Sequence, residues 1–399
     1  MKWIQLNKIL ANKLAIKVVM CLSVFLVGCN SDEPDSKNAD NPDKVEGSNN
    51  TDNSVIMSDD NLAVAEHSLQ LDFTLLKVMN EHSEGNFIFS PLGVELMLGT
   101  AALGSENNIA TSIASLFGCD NLESLFDYHA KAIRIKNNSD FFNAGLYNEL
   151  YVPEEMTSVL YMKERYSAYY NGDLSLWKSD EVTISSIVDI KCQWPYPSTS
   201  VLNKYTEGIF HGANGDSQVD MINRRNSYLV IDNEEKNYFA IKAPLYIDKF
   251  GSVIFIMPKE GNDISQFVAE FDFNELSQFS YAQNLIDLFV PKFSLTENTT
   301  NLTPIISNIL DDEIFQSIFV NVEDSNKFNP VFKSKSSITF DNNCIEATEY
   351  ANSMGPSNEF PDPFNPPYIE KVELNRPFIF LVTALDYPNC IMAGKVMDL

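Results

Sequence analysis

The order of helical and strand patterns along the chain constrains its fold most strongly. Apolar residues recur at helical spacing over 63–81, and a second apolar helix is predicted over 92–103, after a short buried strand at 87–89. Beyond residue 140 most patterns are those of strands, and no strand–helix–strand alternation is present. Strands are predicted at 146–152, 184–190, 228–231, 252–257, 285–290, 336–340 and 378–382. Helical stretches interrupt them near 155–170, 263–279 and 302–315. This order predicts an α+β fold around a mostly antiparallel sheet.

The first 29 residues have the composition of a targeting segment. Four lysines precede an apolar run over 18–27 that is too short to span a bilayer. The run ends in Leu26-Val27-Gly28-Cys29, which resembles the lipobox, in which the cysteine thiol receives a lipid. We therefore predict a lipoprotein signal peptide over 1–29 with Cys29 as the lipidated residue. An ordinary signal peptide with an incidental cysteine is the alternative.

Residues 30–60 are rich in Asn, Asp, Ser and Pro and nearly free of large apolar side chains. Such a segment cannot bury enough surface to fold, so it is predicted to be a disordered acidic tether. The acidic stretch directly after Cys29 resembles the surface-export signals of some Gram-negative lipoproteins. This implies a protein that is lipid-anchored in the outer membrane and exposed at the cell surface. Since no further linker is visible, 61–399 is predicted to be one domain.

Charge and residue usage argue against several classes of function. Acidic residues outnumber basic ones 55 to 28, which gives a net charge of −27 and disfavours a nucleic-acid partner. The four histidines lack metal-ligand spacing, and the chain has no nucleophile elbow, P-loop or dinucleotide fingerprint. Four cysteines are scattered singly and are predicted to be buried free thiols: Cys119, Cys192, Cys344 and Cys390. We therefore predict a monomeric binder or inhibitor rather than an enzyme, with no metal and no cofactor.

Eight short blocks, in order along almost the whole domain, resemble those of the serpin family. Residues 86–91 (Asn-Phe-Ile-Phe-Ser-Pro) resemble its N-x-F-x-S-P segment, and 101–105 resemble its A-x-L-G-A turn. The remaining blocks lie at 143–152, 206–210, 252–258, 290–293, 375–380 and 392–396. No block is specific by itself, but eight in the right order are, and the chain is identified as a serpin-like protein on this ground.

The resemblance implies a serpin-like fold whose exposed loop near the C-terminus is bait for a serine or cysteine endopeptidase. In that family the cut loop inserts into the central sheet as a new strand and the protease is trapped. The implied partner is therefore a target protease. A non-inhibitory serpin-fold protein, acting as a binder or as a mere protease substrate, is the alternative. An unrelated surface lipoprotein that captures nutrients is a third possibility.

The bait loop is predicted between Phe340 and Val372. Aligning Glu346-Ala347 with the family's hinge sets the hinge residues as Cys344, Ile345, Glu346, Ala347, Thr348, Glu349, Tyr350 and Ala351. Small residues are usual there because alternate side chains must enter a packed core, so Ile345, Glu349 and Tyr350 argue against rapid insertion. Counting forward from the hinge places the scissile bond between Asn358 and Glu359, with Met354 and Phe360 as the alternatives. A solvated proline-rich loop without bait function is the competing interpretation.

Two further departures concern the sheet. In the family a helix crosses the sheet face between the strand that 174–177 resembles and the next strand of the sheet. Here the strand predicted at 184–190 follows after only a few residues, so that helix is expected to be missing. In addition, Gly93 replaces the serine of the family's shutter region.

Overall fold

The computed structural model describes twelve stretches of the chain, and the fold is given for these alone. They are 59–134, 142–152, 159–170, 174–179, 181–192, 206–226, 228–244, 251–282, 285–318, 330–340, 369–384 and 387–399. Cys29 and most of the predicted tether, residues 30–58, lie outside them. The first helix begins at Asp59, two residues before the predicted domain boundary at 61.

The described helices cluster in the first part of the chain, as the apolar spacing predicts. They are α1 (Asp59–Glu81), α2 (Pro91–Leu103), α3 (Asn107–Ser115), α4 (Leu122–Arg134), α5 (Val159–Tyr170), α6 (Ile264–Glu270), α7 (Thr303–Ile309) and α8 (Asp312–Ser317). A 3₁₀ helix spans Phe273–Gln278. The single helical stretches predicted near 263–279 and 302–315 are each divided into two short helices. None of the described helices is both long enough and apolar enough to cross a membrane.

The described strands lie mainly beyond residue 140. They are β1 (Phe87–Phe89), β2 (Phe142–Val152), β3 (Ser175–Lys178), β4 (Thr183–Cys192), β5 (Thr206–Gly212), β6 (Gly215–Asn226), β7 (Leu229–Asn233), β8 (Tyr238–Pro244), β9 (Ser252–Pro258), β10 (Ser280–Tyr281), β11 (Leu285–Pro291), β12 (Phe293–Asn301), β13 (Val331–Phe340), β14 (Ile369–Glu373), β15 (Phe378–Ala384) and β16 (Tyr387–Val396). Helices followed mainly by strands confirm the predicted α+β class.

These strands form three sheets, in which most neighbours are antiparallel. The seven-stranded sheet has the order β1-β16-β15-β9-β8-β7-β10, and the four-stranded sheet has the order β14-β11-β6-β5. The five-stranded sheet has the order β12-β13-β4-β2-β3. Parallel pairing occurs between β13 and β4, between β2 and β3, and between β11 and β14. The five-stranded sheet contains the candidate site.

Helix α2 begins and ends where its sequence predicts. Ser90 has extended backbone and caps the helix, because its Oγ accepts a hydrogen bond of 2.9 Å from the N–H of Gly93. Pro91 occupies the first helical position, where its missing N–H leaves no hydrogen bond unmade. Gly104 is the C-cap, and its N–H donates back to the Ala101 carbonyl. All thirteen residues of α2 are buried, so this helix lies inside the domain.

The core lies between the seven-stranded and five-stranded sheets. The sequence predicts that Phe378, Phe380 and Val382 share one buried face of β15, and all three are fully buried. The intervening Ile379 and Leu381 are buried as well, because β15 is a central strand with both faces covered. This strand therefore contributes apolar side chains to both of its faces.

The connection between β3 and β4 is too short to contain a helix. Only residues 179–182 join Lys178 to Thr183. The prediction that the crossing helix is missing is therefore confirmed. The consequence is that no helix follows β3 to lie across the outer face of the five-stranded sheet.

Candidate functional site

The candidate site is the seam where β13 and β4 meet. These two strands pair directly and in parallel through ten residue pairs, from Val331 opposite Thr183 to Phe340 opposite Cys192. Within the described residues, no strand lies between them. The chain leaves β13 at Phe340 and returns at Ile369, where β14 pairs with β11 of the four-stranded sheet.

The predicted bait residues lie in 341–368, outside the described residues. This holds for the hinge, Cys344, Ile345, Glu346, Ala347, Thr348, Glu349, Tyr350 and Ala351, and for the scissile-bond candidates Met354, Asn358, Glu359 and Phe360. The described residues that flank the loop lie on two different sheets. Phe340 ends β13 at the seam, and Ile369 begins β14 of the four-stranded sheet. The seam itself is therefore the part of the site whose geometry can be examined.

Side chains of β13 alternate strictly between the interior and the outer face. Phe332, Ser334, Ser336, Ile338 and Phe340 are buried, whereas the residues between them are partly or fully exposed. Large apolar side chains thus occupy both ends of the buried row, and two serines occupy its middle. Burying a serine contributes much less to stability than burying an apolar side chain, so the middle of the seam is the weaker part.

Helix α2 packs against the seam at its middle. A Cβ atom on Gly93 would lie only 2.7 Å from Ser186 Oγ of β4 and 3.2 Å from Ser90 Cβ. The absence of a side chain at residue 93 therefore lets β4 approach the helix closely. Ser90 is itself tied to the seven-stranded sheet, because its Oγ donates a hydrogen bond of 2.6 Å to the Ile391 carbonyl. Helix α2 thus connects the seam to β16.

The middle of the seam is polar and incompletely hydrogen-bonded. Ser334 and Ser336 share a hydrogen bond of 3.2 Å between their hydroxyls. Ser186 pairs with Ser334 across the seam, and its buried Oγ has no hydrogen-bond partner among the described residues. A buried polar group without a partner costs about 1–3 kcal/mol. Glu297 of β12 lies opposite Ser336, and partial burial raises the pKa of its carboxyl.

The end of β13 at which the loop begins is firmly packed. The Phe340 ring lies 4.6 Å from that of Phe293 and 5.8 Å from those of Phe255 and Phe380, measured between centroids. These partners come from β12, β9 and β15. Offset and tilted aromatic contacts of this kind add to the energy of area burial. Phe340 therefore anchors the point from which the loop leaves.

The outer face of the five-stranded sheet is largely polar. On β13 it presents Lys333, Lys335, Ser337 and Thr339, of which Lys335 is the most exposed. At its edge Trp177 is 52% exposed and stacks on Tyr151, with 6.4 Å between ring centroids. Lysines and hydroxyls suit a sheet face that meets solvent. The sequence of this face therefore agrees with the missing helix.

The described thiols and acidic groups show no catalytic or metal-binding arrangement. Cys119 and Cys390 are buried and free, as predicted, whereas the side chain of Cys192 and all of Cys344 lie outside the description. Burial raises the pKa of Cys119 to about 11 and also raises that of Cys390, which keeps both thiols protonated and unreactive. No group of three potential metal ligands was found among the described side chains.

Of the small residues at the middle of the seam, only Gly93 was identified from the sequence. Ser186, Ser334 and Ser336 were missed. The signal for Ser334 and Ser336 was present, because serines at alternate positions of a strand lie on one face. Which face was buried depended on the pairing of β13 with β4, which are far apart in the chain. Ser186 carries no comparable local signal.

Comparison with known proteins gives relatives for most of the chain. The family model described as serpin (serine protease inhibitor) matches residues 66–183 and 175–399. Two variola virus proteins, both named serine proteinase inhibitor 1, are 27% identical to this chain over 208 residues. That match covers 50% of this chain and 54% of each viral protein, so it spans about half the length of these relatives.

Three solved structures have the same fold, and the match extends over nearly the whole length of each of them. Serpin-12 of Manduca sexta has a TM-score of 0.66 at 14% identity and covers 83% of this chain and 98% of its own. Maspin has a TM-score of 0.69 at 17% identity, with coverages of 85% and 99%. Human thyroxine-binding globulin has a TM-score of 0.68 at 14% identity, with coverages of 84% and 99%. These likenesses confirm the predicted serpin-like fold, and with the family-model match they show that the chain belongs to the serpin family.

Proposed function

We propose that the protein is an inhibitor of serine or cysteine endopeptidases that acts by cleavage of the loop 341–368 and its insertion into the seam. The observation that carries the proposal is the direct parallel pairing of β13 with β4, beside the point where the loop leaves β13. In this scheme the protein supplies no catalytic residue. The chemistry is that of the protease, and the inhibitor supplies a sheet that can accept another strand.

The topology favours insertion of the loop as an added strand. A segment that turns back after Phe340 and enters between β13 and β4 runs antiparallel to both. One parallel ladder of ten residue pairs is then replaced by two antiparallel ladders. Antiparallel pairing is slightly more stable per residue than parallel pairing. With about 0.5–1.5 kcal/mol for each net hydrogen bond, ten additional bonds contribute about 5–15 kcal/mol.

Insertion would trap the protease at the acyl-enzyme stage. The protease nucleophile attacks the carbonyl of Asn358, the peptide bond to Glu359 breaks, and the new N-terminus leaves with a proton. The ester or thioester then joins the protease to the end of the severed hinge segment. Entry of that segment into the seam moves the protease before water hydrolyses the acyl bond. The release of strain by strand addition is the driving force.

The middle of the seam also suits the unusual hinge. Ser186, Ser334 and Ser336 are polar and smaller than the apolar side chains at the two ends of the seam. Their hydroxyls could partner polar hinge groups such as Glu349 once the two strands part. The polar departure of the hinge is thereby matched by hydroxyl groups in the sheet that receives it.

A non-inhibitory serpin-fold protein is the second candidate function. The hinge departures favour it, because Ile345, Glu349 and Tyr350 each raise the cost of entering a packed sheet. The structural neighbour thyroxine-binding globulin is named for the ligand that it binds, so a protein of this fold can be a binder. This candidate predicts cleavage of the loop without trapping.

The two candidates are distinguished by mixing the protein with serine proteases of different specificity and with papain, then separating the products in SDS. Inhibition predicts a band at the summed mass of protease and inhibitor that survives boiling. The matched control is Ala347→Pro, since proline cannot donate a ladder hydrogen bond from the hinge. This variant should be cut at the same bond without forming the complex. If the wild-type loop is cut by every protease without a complex, the second candidate is correct.

We further propose that the mature protein is a monomer displayed on the outer membrane through a lipidated Cys29, with 30–58 as its tether. Two or more acyl chains would anchor it stably, because a single chain binds a membrane only marginally. Labelled palmitate should enter the wild-type protein in bacterial cells, and Cys29→Ala should abolish labelling. Cys21→Ala, within the predicted signal peptide, is the matched control and should be labelled normally. Equal labelling of the wild-type and Cys29→Ala proteins would contradict lipidation at this residue.

A further inference from the structure

Three ionisable side chains from three different helices meet in the interior. Asp72 of α1 is 1% exposed, and Glu95 of α2 and His129 of α4 are both 0% exposed. Ionisable groups are seldom buried to this degree, because removing a charge from water is costly unless the charge is paired. The proposed inhibitory mechanism does not use them. Their burial together calls for a separate explanation.

The three side chains form one chain of contacts that ends on the seven-stranded sheet. Asp72 Oδ2 accepts a hydrogen bond of 2.8 Å from the backbone N–H of Cys390 on β16. The Glu95 carboxyl lies within hydrogen-bonding reach of the Asp72 carboxyl. His129 Nε2 lies 3.7 Å from Glu95 Oε2, and the Phe117 ring packs against the imidazole at a centroid distance of 5.2 Å. The Cys390 thiol also lies beside the two carboxyls.

These contacts favour a proton between the two carboxyls. Asp72 Oδ1 is buried and has no hydrogen-bond donor among the described residues. Two ionised carboxylates are acceptors only, so they can hydrogen-bond to each other only when one of them carries a proton. Burial and the neighbouring Glu95 raise the pKa of Asp72 well above its ordinary value. Burial lowers the pKa of His129 to about 3, so its imidazole stays neutral and does not supply a compensating charge.

The location of the pair links it to the seam. Glu95 follows Gly93 by two residues on α2, the helix against which β4 packs. Ser90 of the same helix bonds to the Ile391 carbonyl, and Asp72 bonds to the adjacent Cys390. The carboxyl pair therefore acts where α1, α2 and β16 are held together.

We propose that Asp72 and Glu95 share a single proton in the folded protein, and that losing it as the pH rises weakens the packing of α1 and α2 on β16. The pair then acts as a pH-sensitive element that makes the fold less stable in alkaline than in neutral solution. This inference depends on the fold alone. It does not depend on whether the protein inhibits proteases.

The direction of the pH effect follows from the two pKa shifts. A carboxyl whose pKa is raised on folding gives stability that is complete below its ordinary pKa and is lost as the pH rises through the raised value. His129 has the opposite effect, because its pKa is lowered on folding. Its contribution is complete above about pH 6.5 and is lost as the pH falls toward 3. Above about pH 6.5, the carboxyl pair therefore sets the slope.

The test is the melting temperature of purified protein as a function of pH, for the wild type and for Asp72→Asn. Asparagine can still accept from the Cys390 N–H and can donate to Glu95 without a titrating proton. The wild-type melting temperature should fall by a few degrees as the pH rises above about 6.5, and the variant should show a shallower slope there. Asp127→Asn, an exposed carboxylate on the helix of His129, is the matched control and should keep the wild-type slope.

A second measurement keeps the inference testable if Asp72→Asn does not fold. The infrared carbonyl band of a protonated carboxylic acid should be present in the wild-type protein at neutral pH. That band should be absent from Glu95→Gln, in which the amide takes the place of the shared proton. An equal pH slope in wild type and Asp72→Asn, or no protonated-acid band in the folded wild type, would overturn the proposal.

Discussion

Cleavage of the loop between Asn358 and Glu359 is expected to raise the melting temperature by about 7–20 °C. The expectation follows from the seam, where β13 and β4 share one ladder of ten pairs that an inserted strand would replace with two. About 5–15 kcal/mol of added hydrogen bonding shifts the unfolding transition by about 7–20 °C, because a folded domain of about 340 residues has an unfolding entropy of about 0.7 kcal/mol/K. The measurement is calorimetry of the intact and the nicked protein, with cleavage at a single bond verified by mass spectrometry.

The controls separate insertion from the effect of the cut itself. Ala347→Pro should be nicked at the same bond but show no rise, because the proline interrupts the new ladders near their start. Pro366→Ala alters the loop beyond the scissile bond, in the part that does not insert, and should keep the rise. If the nicked wild type melts at or below the temperature of the intact protein, the loop does not insert, and the non-inhibitory candidate gains support.

Replacing Phe340 by alanine is expected to lower the free energy of unfolding by about 3–5 kcal/mol. The ring is fully buried and contacts Phe293, Phe255 and Phe380, so its removal leaves a cavity among partners from three other strands. It also frees the end of β13 from which the loop departs. The expected consequence is a seam that opens more readily at that end. Urea unfolding followed by tryptophan fluorescence measures the loss.

The matched control for Phe340→Ala is a large apolar residue that is not buried. Ile209 of β5 is 52% exposed, and Ile209→Ala should change the free energy of unfolding by no more than about 0.5 kcal/mol. A loss below about 1 kcal/mol for Phe340→Ala would contradict the role of this ring as an anchor, because the surrounding aromatic rings would then have closed the cavity.

Local chemistry made much of the helical part predictable. Ser90 and Pro91 set the start of α2, and Gly104 sets its end, because capping and the missing proline N–H depend only on neighbouring residues. The missing helix was predictable as well, since the spacing between two strand patterns leaves no room for it. Such features need no knowledge of what the segment packs against.

Two of the strands that were missed, β5 and β6, are largely polar. Much of β5 and β6 is exposed, and their sequences carry weak apolar alternation, so their pairing with each other and with β11 is what makes them strands. The seam depends on a pairing between residues about 150 positions apart along the chain. The meeting of Asp72 with Glu95 likewise arises from helix packing, for which neither residue carries a local signal.

The four-residue link between Lys178 and Thr183 changes what must move when the central sheet accepts a strand. Because this connection contains no helix, separation of β13 from β4 does not require a helix of this connection to be lifted and replaced. The activation barrier for opening then comes from the ladder and from the side chains beneath it. Speed of response and resistance to accidental opening thus depend on the same few residues, and one cannot be altered without altering the other.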